Sequence, residues 1–118
     1  MRNFRSLEIW QRSLYLAARI IKLTRSSKSL EFSALGNQIQ KSTVSIPSNI
    51  AEGCAQTNRS FLNYLRIALG SCYELETQLI LIEHYGVSKS DIEEEVDELQ
   101  QLEKMIAGYM HYLKSIPS

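Results

Sequence analysis

The stretch SIPSNIAEG, residues 45–53, decides the fold because it interrupts an otherwise regular helical pattern. Pro47 has no backbone N–H to donate, and serine and asparagine favour caps and turns over helix interiors. The sequence therefore predicts a second helix that is kinked near Pro47 or split after Val44, with Ser45 as a new N-cap. Gly53 offers a left-handed stop at the end of this helix.

The residues before this stretch predict a first helix, with Ser6 as its N-cap. Apolar residues recur there at three- and four-residue steps, which is the spacing of one helix face. This predicted core face consists of Leu7, Trp10, Leu14, Ala17, Ala18 and Ile21. Residues 24–33 are rich in serine and lack this periodicity, so they predict the loop between the first two helices.

The residues after the stretch predict a third helix that begins near Thr57 or Asn58, either of which is a suitable N-cap, and runs to Gly86. Its apolar residues form an unbroken seam with steps of four and three. The seam consists of Phe61, Leu65, Ala68, Cys72, Leu75, Leu79 and Ile82. A core-facing stripe so regular predicts that this helix lies at the centre of the bundle.

Further apolar residues lie beside that seam, so the third helix has more apolar surface than one core face requires. The excess predicts a subunit interface. The predicted interface residues are Leu62, Leu69, Tyr73 and Ile80. Gly70 lies in mid-helix, where glycine costs about 1 kcal/mol relative to alanine. Its presence predicts the close approach of another backbone.

A fourth helix follows Ser88 or Ser90, with acidic residues in its first turn that complement the helix dipole. Its predicted core stripe consists of Ile92, Val96, Leu99, Leu102, Ile106, Tyr109, Leu113 and Ile116. The chain has no strand pattern and no internal repeat. The predicted fold is all-α: a single domain over residues 1–118 that forms an antiparallel up-and-down four-helix bundle.

Charge is balanced overall but unevenly distributed. The chain has 13 basic and 13 acidic residues, yet residues 1–28 hold seven basic residues against one acidic residue. Arginines at seven-residue steps on the first helix form a stripe suited to phosphate, or equally an ordinary solvated face. The candidate nucleic-acid-binding residues are Arg5, Arg12, Arg19, Lys22, Lys41, Arg59 and Arg66.

The residue types that carry catalysis or bind metals do not form a recognisable pattern. Di-iron helical bundles need a carboxylate three residues before a histidine, but leucine precedes His84 and glycine precedes His111 at that step. Cys54 and Cys72 fit two free thiols rather than a zinc site or a disulfide framework. We therefore expect no enzymatic activity, no metal and no cofactor. Without an apolar leader or a long apolar run, we expect a cytoplasmic protein with no membrane partner.

Polar residues follow the core face of the second helix one position away. Gln38, Ser45, Asn49 and Glu52 are the predicted members of a structural polar network. Buried polar groups must be paired, so we expect these side chains to bond to the helix and its neighbours. A catalytic role for this stripe is the alternative, for which no adjacent nucleophile and base are evident.

The stretch at residues 45–53 resembles the signature of a bacterial four-helix-bundle family named after intervening sequences of 23S ribosomal RNA. The flanking residues that share the resemblance are Gln38-Ile39, Arg59-Ser60-Phe61, Ile67-Ala68-Leu69-Gly70-Ser71 and Glu74-Leu75-Glu76. Two segments depart from it. Lys28-Ser29-Leu30 stands where members often have Phe-Pro, and Gln40-Lys41-Ser42 stands where an Arg-Arg or Arg-Ala pair is common, so one basic charge is absent.

The resemblance implies a bundle that assembles into a ring-shaped homopentamer. Proteins of the same fold that accompany diversity-generating retroelements bind a reverse transcriptase and nucleic acid. We therefore expect a non-enzymatic homo-oligomeric module that binds structured RNA or a ribonucleoprotein through its basic first helix. The alternative is a protein–protein interaction scaffold with no nucleic-acid role.

Overall fold

The computed structural model describes residues 2–117, which form four α-helices. The helices are α1 (Glu8–Ser26), α2 (Ala34–Cys54), α3 (Asn58–Leu81) and α4 (Lys89–Ser115), with short 3₁₀ helices at Phe4–Ser6 and Ile82–Tyr85. The described part of the chain contains no strand and measures 48 × 21 × 20 Å. The predicted all-α class is confirmed, and the four helices pack as a bundle.

Contacts between α2 and α3 fix how these two helices lie along each other. Ser42 Oγ donates to Glu74 Oε1 at 2.6 Å, and the hydroxyls of Ser45 and Ser71 are 2.8 Å apart. Residue numbers therefore rise along α2 as they fall along α3. The turn that connects the two helices is short, and Thr57 Oγ1 caps α3 by accepting from the Ser60 amide.

The two ends of the bundle are also defined by contacts. At the loop end, residues 27–33 connect α1 to α2, and Gln40 Nε2 donates to Thr24 Oγ1 at 3.1 Å. At the terminal end, Arg2 Nη1 donates to the Gln56 carbonyl and Asn58 Nδ2 donates to the Pro117 carbonyl. The start of α1 thus lies beside the end of α2, and the start of α3 beside the end of α4.

The predicted core seam of α3 is confirmed in full. All seven of its residues are completely buried, and Phe61 is among the largest of the fully buried side chains. The core stripe of α4 is largely confirmed, with Ile92, Leu99 and Ile106 buried and Tyr109 partly buried. The core therefore runs the whole length of the bundle along α3.

The predicted core face of α1 is wrong by about one residue of helical rotation. The buried residues are Ile9, Ser13, Leu16, Ala17, Ile20 and Thr24, so Ala17 alone belongs to both sets. Two polar residues lie on the true core face because their hydroxyls donate to carbonyls of the preceding turn, Trp10 and Ile21. Ser6 is not the N-cap either, since it lies in the first 3₁₀ helix and Leu7 precedes α1.

The second helix is not split at Pro47. It continues to Cys54, and Ser45 lies inside it rather than at a cap. Pro47 is itself buried, so packing of this turn outweighs the local preference for a break. Asn49 Nδ2 donates to the Ser45 carbonyl, which adds a side-chain hydrogen bond within the turn that contains the proline. The kink stays a prediction.

Gly53 is not a left-handed stop. The residue after α2, Ala55, has a φ of −80° and a right-handed conformation. Among the described glycines, Gly86 is the one with a positive φ, 88°, and it ends the 3₁₀ helix that follows α3. α3 itself ends at Leu81, earlier than predicted, because the chain tightens into that 3₁₀ helix.

Candidate interaction surfaces

The signature stretch holds α2 and α3 together. A Cβ placed on Gly53 would overlap the ring of Phe61 and would lie 2.8 Å from Tyr64 Cβ. Only glycine lets the two helices approach this closely without displacing a fully buried aromatic ring. The functional meaning of the glycine in this stretch is therefore packing rather than catalysis.

Polar side chains from the stretch bond across the same interface. Asn49 Nδ2 donates to the carbonyl of Ser45 and lies 3.0 Å from Ser45 Oγ, which bonds to Ser71 Oγ. The side chains of Ser45 and Asn49 are thus brought together. The other two predicted network members, Gln38 and Glu52, differ from the expectation, because both are exposed.

Sequence reasoning missed the α3 side of this network. Ser71 and Glu74 supply the partners for Ser45 and Ser42. They are three residues apart on the helix, the spacing that places two side chains on one face. That spacing was a usable signal, but many exposed polar residues share it.

The arginine stripe of α1 faces the acidic residues of α4. Arg12 lies 3.7 Å from Glu8 and 3.5 Å from Glu98, while Arg19 lies 3.0 Å from Glu94 and 3.4 Å from Glu95. Burial works against the charged form of Arg19, but the two glutamates outweigh it and raise its pKa. Two of the three stripe arginines therefore have acidic partners inside the chain.

The other basic candidates are exposed and lie apart from these pairs. Within residues 2–117, no ion pair involves Lys22, Lys41, Arg59 or Arg66. Arg66 donates to Asn63 Oδ1 at 2.7 Å. Arg5 lies at the terminal end, with its guanidinium 5.8 Å from the centre of the Phe4 ring.

An apolar groove runs between α1 and α2 on the outside of the bundle, with a volume of about 500 Å³. We call it the α1/α2 groove. Its lining is Phe4, Trp10, Leu14, Ala17, Ala18, Ile21, Val44, Pro47, Ser48 and Ala51. Most of the stripe that we expected on the core face of α1 lines this groove. Leu14 and Val44 are each 47% exposed, so the single chain leaves substantial apolar surface in water.

Exposed apolar residues also lie on the outer side of α3, interspersed with exposed polar residues such as Arg66, Glu74 and Thr77. Of the predicted interface residues, Tyr73 and Ile80 are more than half exposed, whereas Leu62 and Leu69 are partly buried against the core. Two further exposed residues, Ile67 and Leu81, extend this surface. We call Ile67, Gly70, Tyr73, Ile80 and Leu81 the α3 ridge. A Cβ on Gly70 would meet nothing within 4 Å, so no backbone of the same chain approaches it.

A pair of carboxyl groups lies between α3 and α4. Glu76 Oε2 accepts a hydrogen bond from Gln100 Nε2, and Glu103 Oε2 is buried without a partner among the described residues. Burial and the neighbouring Glu76 raise the pKa of Glu103 to about 7. Hydrogen bonds from Glu103 and Gln100 lower the pKa of Glu76. Glu103 is therefore protonated at mildly acidic pH, where Glu76 is already ionised.

The cysteines are poor nucleophiles in this environment. Burial raises the pKa of Cys54, although Arg2 opposes it, and burial together with Glu103 and Glu76 raises the pKa of Cys72 to about 12. Both thiols are buried and neither forms a disulfide. A thiol that stays protonated at neutral pH attacks substrates slowly.

Neither a metal cluster nor a membrane span stands out in residues 2–117. No group of three or more histidine, cysteine or acidic side chains is placed to hold a metal ion there, and both histidines are exposed. None of the helices has both the length and the apolar character that crossing a membrane requires.

Comparison with known proteins identifies the family. The family model described as 23S rRNA-intervening sequence protein matches residues 5–108, which include all of the signature stretch. The chain belongs to this family. No functionally curated protein matches the chain. A solved structure is also similar to this chain.

This chain is similar to a protein from Bacteroides thetaiotaomicron whose crystal structure is known. That protein is described as a protein of unknown function from the S23 ribosomal protein family. The two share 27% sequence identity with a TM-score of 0.79, over 86% of this chain and 97% of the other. The family and the bundle are thus supported by both sequence and structure.

Proposed function

We propose that this chain works as a non-enzymatic, self-associating helical module that forms a homo-oligomer. The observation that supports the proposal most is the α1/α2 groove, which a single copy leaves open to water. The ring of five subunits that the family resemblance implies is the assembly we expect.

The size and chemistry of the groove favour a protein partner over a small molecule. Its lining holds no charged residue and one hydroxyl, on Ser48, so it offers few groups to orient a polar substrate. Apolar side chains that lie together on the surface, such as the half-exposed Leu14 and Val44, are the kind of surface that a protein partner covers. Burying apolar area contributes roughly 25 cal/mol per Å², so covering this groove would favour association.

Solution mass tests this proposal directly. Sedimentation velocity or light scattering on the full chain should give a particle several times the 13.5 kDa chain mass. A strict monomer at micromolar concentration would contradict the proposal.

A second proposed function is binding of structured RNA or a ribonucleoprotein at the terminal end of the bundle. Arg5 and Arg59 are both exposed at this end, next to Arg2, and neither forms an ion pair with an acid of the described chain. Arg12 and Arg19 contribute less than expected because α4 already neutralises them. In a ring, the terminal ends of all copies repeat these charges, so several weak contacts act together.

RNA binding is tested by its response to salt and to charge. Affinity for a structured RNA should fall steeply as salt rises, and a chain with Arg5→Gln and Arg59→Gln should bind roughly tenfold more weakly. The matched control, Lys89→Gln with Lys104→Gln, removes the same charge from α4. If the two double variants bind RNA equally well, the proposed RNA surface is wrong.

The scaffold alternative makes a different prediction. If the oligomer serves a protein partner instead, that partner should be recovered from cell extract in the same amount with and without nuclease. Loss of all partners after nuclease treatment would favour the RNA function.

A further inference from the structure

We propose that Glu76 of α3 and Glu103 of α4 form a latch between the two helices, which a proton closes and loss of that proton opens. In the closed state, the protonated carboxyl group of Glu103 donates a hydrogen bond to the ionised carboxylate of Glu76. We call this pair of residues the carboxyl latch. Both residues belong to the same chain, so the latch does not depend on self-association.

The contact brings the two carboxyl groups together from facing helices. Gln100 and Glu103 are three residues apart on α4, so their side chains lie on one face of that helix. Gln100 Nε2 donates to Glu76 Oε2 at 3.1 Å, and the Glu103 carboxyl group also lies within hydrogen-bond reach of Glu76. An ionised carboxylate can only accept hydrogen bonds. The second of these two bonds between the helices therefore requires a proton.

The position of that proton follows from the surroundings of each carboxyl group. Two carboxylates in direct contact repel each other, so only one of them ionises easily. Hydrogen bonds from Glu103 and Gln100 hold the pKa of Glu76 below its usual range. Burial and the adjacent Glu76 raise the pKa of Glu103 to about 7. The proton that closes the latch therefore lies on Glu103 and is lost near neutral pH.

The groups around Glu103 supply no cation to balance a second negative charge. Cys72 and Glu76 face it from α3. Tyr73 of α3 and Lys104 of α4 line the cavity beside it, and Lys104 forms no ion pair within residues 2–117. In that part of the chain, α1 and α2 place no titratable group against Glu103. An ionised Glu103 would therefore remain next to an ionised Glu76 without a neutralising partner.

A cavity next to Glu103 provides the open state. Glu103 Oε2 is buried and has no hydrogen-bond partner among the described residues, so an ionised carboxylate would be unpaired in this position. The cavity has a volume of about 330 Å³ and is lined by Tyr73, Gln100, Glu103, Lys104 and Ala107. Rotation into it would bring the carboxylate to water and toward the exposed Lys104. Glu103 thus has one position for each protonation state, as a two-state switch requires.

Cys72 provides a way to detect the open state. It lies one helical turn before Glu76 on the same face of α3 and is completely buried. Burial and, after it, the charges of Glu103 and Glu76 raise the pKa of Cys72, so both carboxyl groups lie close to its thiol. Access of a reagent to this thiol therefore reports whether α3 and α4 are in contact at the level of the latch.

The test measures how fast a dipyridyl disulfide labels Cys72 at different pH values. The full chain carries Cys54→Ala, so that Cys72 is its sole thiol. Each rate is divided by the rate for the same chain with Glu103→Gln, in which residue 103 does not titrate but keeps a hydrogen bond to Glu76. This division removes the pH dependence of the thiol reaction itself.

The ratio of the two rates should rise by about tenfold or more from pH 5 to pH 7 and level off above pH 8. The reason is that Glu103 has a pKa of about 7 in the closed latch and its ordinary value of 4.5 once released. Glu93→Gln is the matched control, since it removes an exposed charge from α4, and it should keep the profile of the parent chain. A ratio that stays constant with pH would show that Glu103 does not control this contact.

Urea separates opening of the latch from unfolding of the whole bundle. Local opening exposes little surface, so at pH 7 the labelling rate should hardly change with urea below the unfolding transition. If the rate rises with urea as steeply as the unfolding equilibrium does, the thiol is reached only through global unfolding and the latch is wrong.

Carboxyl-carbon NMR follows the proton itself. Glu103 should titrate near pH 7 in the folded chain, and Glu76→Gln should move this titration to lower pH because it removes the neighbouring negative charge. A Glu103 that titrates near its ordinary pKa of 4.5 in the folded chain would overturn the latch.

Discussion

The two flanks of α2 differ in how they are filled. Toward α3, Gly53 brings the backbones together against Phe61, and Ser42 and Ser45 bond directly across the interface. Toward α1, the same helix borders a groove of about 500 Å³ with Val44 half exposed. One flank is completed by the chain itself, and the other has space for a partner. The family signature thus lies on the completed flank.

The strongest test of this contrast changes Gly53→Ala. The added methyl group would overlap the Phe61 ring, so we expect the free energy of unfolding to fall by about 1–3 kcal/mol, as overpacked cores do. Urea denaturation measures the loss. The control is Gly108→Ala on α4, where a Cβ meets nothing within 4 Å and alanine should be neutral or mildly stabilising. Equal stability of the two variants would show that the α2–α3 contact is not tight.

The sequence predicted the completed flank better than the open one. The seam of α3 has apolar residues with no competing stripe, and all of them are buried. On α1 two apolar stripes lie side by side, and Ser13 and Thr24 disguise the core face because their hydroxyls bond to the preceding turn. Periodicity finds apolar faces, but it does not tell a core from an interface.

The candidate site shows the same limit. Ser45 and Asn49 meet because both lie on the side of α2 that faces α3. Glu52, three residues after Asn49, is exposed to solvent instead. Arg12 and Arg19 were visible as a stripe, but their pairing with Glu98 and Glu94 depends on which helix becomes the neighbour of α1. Such pairings between distant segments come from tertiary packing.

A second test removes the amide of Asn49. Asn49→Ala leaves the Ser45 carbonyl and hydroxyl without this donor, so we expect a loss of about 1–2 kcal/mol in the free energy of unfolding. Ser48→Ala is the control, since the neighbouring serine is exposed on the groove side and has no side-chain hydrogen bond among the described residues. A larger effect at Ser48 than at Asn49 would reverse the proposed difference between the two flanks.

A third, smaller effect concerns the contact of α3 with α4. The pKa of Glu103 is raised from its ordinary 4.5 to about 7, so the folded chain holds a proton that the unfolded chain has lost. Stability should therefore fall as pH rises from about 4.5 to about 7. Thermal unfolding between pH 5 and pH 8 measures the slope, and Glu103→Gln should flatten it. An unchanged slope in that variant would assign the pH dependence to other groups.

The smallest effect is expected at Gly70, where the open surface of α3 can be tested without a charge. In a single chain, Gly70→Ala fills empty space and should stabilise the helix by up to about 1 kcal/mol. If a second copy packs closely there, the same methyl group should weaken assembly while the isolated chain becomes more stable. Urea denaturation measures the stability, and sedimentation measures the assembly, so the two contributions are separated. A variant that is stabilised and still assembles fully would mean that the middle of the ridge is not in contact.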